Sequence, residues 1–293
     1  MSQPKTIQSS LPGDPNVSYI DTVHAYDQWA NVYDGDGNFL QALDTIEMRS
    51  LLAMFLAHVK MYLQSEVLEN VKLVDMGCGT GRNTLQLIST IASSGADSVF
   101  RNTLIVGLDA SNGMLDVARK AIQKTQPSTR RTTEAAANTP TVTLAQFDLL
   151  TQSPTETLDR ARNADGIIST LVLEHIPLDV YFASAALLLR SGAYLLVTNM
   201  HADMGRISQA GFIDPETGKK VRPTRSYAHE ITDVVAEATR AGFEIVPLQA
   251  APGRTIDGVI ERTVTEDLVG SLGERSAKYV GVTVWFGVCF RKK

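Results

Sequence analysis

The stretch Lys72-Leu73-Val74-Asp75-Met76-Gly77-Cys78-Gly79-Thr80-Gly81-Arg82-Asn83-Thr84 constrains this chain more than any other. A short apolar run ends in an acid, three glycines follow at alternate positions, and a helical pattern begins at once. That reads as strand, tight turn, helix. Lacking a Cβ, Gly77, Gly79 and Gly81 are free to take positive φ and let a ligand lie against the main chain. Such a ligand meets the unpaired N–H groups and the positive dipole end of the next helix. The spacing G-x-G-x-G, with Asp75 two residues ahead, differs from the dinucleotide fingerprint G-x-G-x-x-G, whose third glycine comes one position later.

The same pattern of apolar strand, acidic end and small polar turn recurs. Thr103-Leu104-Ile105-Val106-Gly107-Leu108-Asp109 leads into Ala110-Ser111-Asn112-Gly113-Met114, and Thr141-Val142-Thr143-Leu144-Ala145-Gln146-Phe147-Asp148 precedes Leu149. A fourth strand, Ile167-Ile168-Ser169-Thr170-Leu171, runs toward Leu173-Glu174-His175-Ile176-Pro177, with the proline suited to a first helical position. A fifth strand ends at Met200-His201-Ala202-Asp203. Ligands of open parallel sheets bind at the carboxyl ends of the strands, where all these acids and turns fall.

Ahead of this core, residues 1–18 carry prolines, glycine and serines without apolar period and read as a loose arm. Tyr26, Trp29, Ala30 and Tyr33 then share one helical face, Asp34-Gly35-Asp36-Gly37 breaks it, and a longer helix spans about 39–64. The aromatic face has two readings, plain packing on the core or closure over a ligand as a lid. Residues 125–140 are polar and bounded by prolines, a surface loop. Pro215-Glu216-Thr217-Gly218 between Gly211-Phe212-Ile213-Asp214 and Lys219-Lys220-Val221-Arg222 is a hairpin signature, and the final apolar run 280–290 is the last strand.

At 293 residues the chain can bury a large core. Its net charge of −5 offers no general basic field for a nucleic-acid backbone. Two cysteines, Cys78 and Cys289, fit a reducing compartment and present no metal-ligand spacing. The first residues show no secretory pattern, and no apolar run spans a bilayer, so a cytoplasmic protein without membrane association is expected.

The glycine turn resembles motif I of class I S-adenosylmethionine (SAM) dependent methyltransferases. The resemblance extends in strand order from about Tyr26 to the C-terminus, through residues 104–109, 141–148 and 167–177. In finer detail it resembles fungal secondary-metabolite methyltransferases of small molecules, the gliotoxin-type N-methyltransferases among them. It implies an α/β, Rossmann-like fold: a seven-stranded, mostly parallel sheet with an antiparallel last strand, a helical N-terminal lid over 19–70, and a core over 71–293 with a hairpin cap at about 200–225. The implied cofactor is SAM, with S-adenosylhomocysteine (SAH) as product. Its implied site takes Asp75, Gly77, Cys78, Gly79, Thr80, Gly81 and Asn83 from the first turn, and Asp109, Ala110 and Met114 from the second. Phe147, Asp148 and Leu149 bracket the adenine, Thr170 and Leu171 come from the fourth strand, and Tyr26, Trp29 and Tyr33 close over it. Asp109 suits the ribose hydroxyls and Asp75 the amino group.

Methyl transfer from a sulfonium is an in-line displacement that needs positioning and desolvation, with a general base optional. Four side chains are candidate bases: His201, at the end of the fifth strand, ranks first, followed by His175, Glu174 and His229. The Glu174-His175 pair has a second reading as a helix cap at the cofactor edge. His201 and Asp203 lack a third ligand, so no metal is expected. Where base methyltransferases carry Asn or Asp followed by Pro-Pro, this chain has Ser169-Thr170-Leu171-Val172. The expectation is therefore methylation of N or O, or S, on a small organic acceptor by a monomer or homodimer. A nicotinamide-dependent oxidoreductase and a non-catalytic SAM-binding regulator are the rival readings.

Overall fold

The computed structural model describes residues 6–9, 15–66, 70–93, 99–125, 139–151, 156–248 and 254–293. The interior of the polar loop expected at 125–140 lies outside them. Strand β1 (Val17–Ile20) and helices α1 (Thr22–Trp29) and α2 (Phe39–Glu66) precede an alternating core. That core runs β2 (Val71–Met76), α3 (Arg82–Ala92), β3 (Thr103–Asp109), α4 (Asn112–Thr125), β4 (Thr141–Gln146), α5 (Glu156–Ala161), β5 (Ala164–Thr170), α6 (Leu178–Leu188) and β6 (Leu189–Met200). The C-terminal part adds α7 (Ala202–Gly205), the hairpin β7 (Phe212–Ile213) and β8 (Lys220–Pro223), α8 (Ile231–Arg240) and β9 (Phe243–Val246). It closes with the hairpin β10 (Arg254–Ile256) and β11 (Val259–Thr263), then α9 (Glu266–Leu272) and β12 (Thr283–Lys292).

Strands β4, β3, β2, β5 and β6 lie side by side and parallel, and β12 pairs antiparallel with β6 from Trp285↔Met200 to Arg291↔Tyr194. The central strand β5 is buried at all seven positions, as a parallel strand covered by helices on both faces must be. One core layer joins α2, through Leu51, Phe55 and Val59, to Leu73, Ile105 and Leu196 of the sheet. The opposite layer joins Tyr181 and Phe182 of α6 and Val234 of α8 to Val74, Val106 and Phe290.

The expected seven strands are present as β2–β6, β9 and β12, and the hairpin cap is β7–β8, paired Phe212↔Val221 and Ile213↔Lys220. Three details go beyond these expectations. First, among the described residues the sheet counts nine strands, because β9 covers only Cys289–Lys292 of the outer edge of β12 and the β10–β11 hairpin fills the rest. Its turn, Asp257-Gly258, has positive φ at both residues, the strongest short hairpin signal. Second, the N-terminal stretch is not loose throughout. Ile7 is buried and donates its N–H to Ser226, and β1 pairs parallel with β8 to extend the cap to three strands. Third, Tyr33 does not continue the helix of Tyr26 and Trp29. Asp21 starts α1 early by accepting the Val23 N–H at 3.0 Å, α1 ends at Trp29, and Tyr33–Gly35 forms a separate 3-10 turn.

Within the core, Asp44 of α2 is fully buried and accepts from Asn83 at 3.0 Å, Thr198 at 2.5 Å and the Trp285 indole at 3.0 Å, with Arg82 paired at 2.8 Å. Removing the carboxylate strands a guanidinium and three buried donors. Asp44→Ala is expected to cost about 3 kcal/mol of unfolding free energy, read by urea titration, a loss characteristic of breaking one side of a buried pair.

Candidate active site

Two adjoining cavities open at the carboxyl ends of the parallel strands. The larger, about 250 Å³, lies against the glycine turn, the ends of β3, β4 and β5, and α1. The smaller, about 80 Å³, lies between the aromatic residues of the N-terminal segment, the end of β6, the cap and the turn after α9. Tyr26, Tyr33 and Leu171 line both. Leu171 has φ +57, a left-handed conformation that a branched side chain adopts only when its surroundings dictate it. Its N–H is held by the Thr198 carbonyl at 2.9 Å.

The turn is shaped by close approach. Gly77 has φ +81, and a Cβ there would stand 2.2 Å from a Val172 methyl. Gly79, φ +54, faces open space and donates its N–H to Asp109 at 2.8 Å. The other Asp109 oxygen accepts from Ser111 N–H at 2.9 Å. Burial raises the Asp109 carboxyl above its usual range, against these two N–H donors, which lower it. Asp148 is tied to Leu150 N–H and Thr151 Oγ.

The N-terminal segment is clamped to this turn at three points. Asp27 accepts from Ser111 Oγ at 2.6 Å and Gly113 N–H at 2.9 Å, Thr80 donates to Asp34 at 2.8 Å, and the Tyr26 hydroxyl lies 2.7 Å from His175 Nε2. His175 Nδ1 lies 2.8 Å from the Arg225 carbonyl, which can only accept, so Nδ1 carries the proton and Nε2 accepts from Tyr26. Burial pushes His175 down to about 4 and Tyr26 well above its ordinary value, which keeps both neutral. Its neighbour Glu174 faces the smaller cavity. Burial pushes its carboxyl up to about 7, and its Oε2 has no partner.

Of the residues expected to hold the cofactor, Gly77, Gly79, Asp109, Ala110, Met114, Phe147, Asp148, Leu149, Thr170, Leu171, Tyr26 and Tyr33 line the larger cavity. Trp29 is placed elsewhere, lining the smaller cavity, stacked on Phe212 and donating to Asp36. Asp75, Cys78, Thr80, Gly81 and Asn83 line neither. Asp75 takes a hydrogen bond from Thr84 at 2.5 Å, leaves Oδ1 without a partner, and is pushed by burial up to about 7. His201 caps α7 by accepting the Asp203 N–H, and His229 holds Nε2 against the Leu173 and Ile176 carbonyls; neither lines either of these two cavities, whereas His175 and Glu174 each line one. Asp21, Thr22 and Arg225 line the larger cavity without having been foreseen. Asp21 carried a signal as an acid directly before a helix, whereas Arg225 carried none.

A methyltransferase-domain family model matches residues 68–243. An uncharacterized methyltransferase of Emericella nidulans is 51% identical over 282 residues, which cover 93% of this chain and 91% of that protein. The chain belongs to the SAM-dependent methyltransferases of class I. Two solved structures of the magnesium protoporphyrin IX methyltransferase of Synechocystis PCC 6803 share the fold. The one with bound SAM is 17% identical, covers 92% of this chain and 91% of its own, and has a TM-score of 0.51. The one with bound SAH is 16% identical, with 92% and 95% covered and a TM-score of 0.51.

The residues present in this methyltransferase fit its cofactor SAM. The open space over Gly79, the half-buried Asp109 carboxylate and the apolar Met114, Phe147 and Leu149 supply a bare main chain, a hydroxyl acceptor and ring walls around one cavity. The nicotinamide reading falls with the family assignment. The two glycines separate binding from folding. Gly77→Ala is expected to lower the melting temperature, because the new methyl overlaps Val172. Gly79→Ala is expected to cost only about 1 kcal/mol of backbone strain while abolishing measurable SAM binding in calorimetry.

Proposed function

We propose that this methyltransferase transfers a methyl group to N or O of a small organic acceptor, a secondary metabolite, bound in the smaller cavity, with Glu174 as the general base. The observation that carries the reading is the junction of the two cavities, whose shared wall of Tyr26, Tyr33 and Leu171 borders both the cofactor side and the Glu174 side. SAM, when bound, supplies an electrophilic methyl on a sulfonium. That methyl would pass to the acceptor heteroatom and leave SAH behind, and the Glu174 carboxylate would take up the proton that the acceptor N–H or O–H gives up. His175 is unsuited to that task, since its one lone pair is engaged by Tyr26 and burial lowers its affinity for a proton. Its part is to hold the Tyr26 hydroxyl, and with it α1, at the wall of the cofactor cavity.

The aromatic surroundings exclude water from the displacement, which strengthens the electrostatic interactions inside. The compact second cavity suits a small molecule, and no helix among the described residues is long and apolar enough to cross a membrane. A carboxyl poised at about 7 matches a base working near neutrality.

The sign of the pH dependence follows from the active form being the carboxylate. Below about pH 7 Glu174 is protonated, and kcat is expected to fall toward acid, approaching tenfold per pH unit. Glu174→Gln is expected to lower kcat by about 100-fold and to remove this acid limb, with SAM affinity unchanged. Transfer of labelled methyl from SAM to a panel of phenols and amines, followed across pH, measures both. An unaltered acid limb in the variant would assign the base elsewhere.

A further inference from the structure

We propose that the acceptor is a ring compound carrying an anionic group, held with its reacting N–H or O–H at the buried end of the smaller cavity and its anion at the rim. The proposal rests on the methyl-transfer reading above and adds the substrate class. Three observations carry it. Glu174 and Gln209, only 4% and 5% exposed, both line the cavity, and each keeps one buried oxygen, Glu174 Oε2 and Gln209 Oε1, without a protein partner. The Gln209 amide is oriented by its N–H groups, which donate to the Pro223 carbonyl at 2.8 Å and Ser226 Oγ at 3.1 Å, so its oxygen is the atom left free. Buried acceptors without donors are costly, and a ligand presenting an N–H or O–H relieves both.

The middle of the cavity is aromatic. Tyr26, Trp29 and Tyr33 form one cluster, with centroids 5.0–6.0 Å apart. Phe39 and Tyr279 form a second pair at 4.7 Å. Such surfaces favour a flat ring by offset or edge packing.

The rim is cationic. Lys220 of β8 and the exposed Arg275 and Lys278 line the opening, and the one acid in the lining is the buried Glu174. Three cations around one mouth run against a chain whose net charge is −5. Arg275 is steadied by donating to the Asp36 carbonyl at 2.6 Å, with the Asp36 carboxylate also nearby, and Lys278 lies 4.9 Å over the Tyr279 ring. Arg275 keeps further N–H donors for a carboxylate or phosphate, and charge-assisted bonds of this kind are the strong ones.

The test uses the full chain saturated with SAH and titrated by calorimetry with 4-hydroxybenzoate, 4-hydroxyphenyl phosphate and methyl 4-hydroxybenzoate. Quenching of Trp29, one of two tryptophans, reports occupancy of this cavity. At least one anionic probe is expected to bind about tenfold or more tighter than the neutral ester. The tighter of the two anions distinguishes carboxylate from phosphate recognition. In the double variant Arg275→Gln with Lys278→Gln that preference is expected to fall below about threefold with SAH affinity unchanged. Lys278→Gln alone, which leaves the Asp36 contact intact, is expected to give a partial loss. An ester binding as tightly as the anions, a preference untouched in both variants, or no binding of any probe to the SAH-loaded protein would overturn the proposal. Failure to bind SAH at all would instead overturn the cofactor reading beneath it, and the proposal with it.

Discussion

The buried Asp44 carboxylate is the joint on which the active end of the sheet depends. It collects donors from α3, β6 and β12 onto α2, and one of them, Asn83, also donates to the Thr170 hydroxyl at 2.8 Å. Thr170 is the last residue of β5, and the next residue is Leu171, in its left-handed conformation on the wall between the cavities. The β6 residue that donates to Asp44, Thr198, also supplies the carbonyl that holds the Leu171 N–H. The shape of the wall where methyl transfer is proposed is thus set by a polar network, because apolar packing alone would not select so unfavourable a backbone angle.

A second network fixes the N-terminal segment. Plain packing and closure over a ligand looked like alternatives for its aromatic face. In the fold, Trp29 packs on Phe212 of the cap while Tyr26 and Tyr33 line the cavities. Asp27, Asp34 and Tyr26 each reach a different part of the cofactor side, namely the start of α4, the glycine turn and His175. Gly113 permits this approach, since a Cβ there would come within 2.9 Å of the Asp27 carbonyl.

The strands, their acidic ends and the glycine turn were legible because each is a local pattern of burial and backbone freedom. The hairpin cap was legible for the same reason. The histidines were not, because His201 and His229 owe their roles to partners that no spacing rule locates: a neighbouring backbone N–H in one case and two carbonyls more than 50 residues away in the other. Asp44 and Asp27 were invisible for a related reason. Their partners lie 38 to 241 residues along the chain, and an aspartate within a helix reads as solvated surface until the fold brings those donors to it. The extra hairpin at Asp257-Gly258 had a local signal of its own in that turn pair, with positive φ at both residues.

The adjacent pair Glu174 and His175 shows what burial does when it acts on two opposite kinds of group. A 3-10 turn over Leu173–His175 sends consecutive side chains to different cavities. Desolvation disfavours the charged form of each, so the carboxyl rises to about 7 and the imidazole falls to about 4, reversing their usual order. Between those values both are neutral, and their 3.8 Å separation is not an ion pair. The histidine is then a neutral hydrogen-bonding strut above about pH 4. The carboxyl remains the group of the pair able to change charge near neutrality, and it does so against the cavity in which the acceptor would lie. An imidazolium at 175 would have stabilised the carboxylate and drawn it back toward an ordinary, weakly basic value. Keeping His175 neutral is therefore part of what leaves Glu174 basic enough to take a proton.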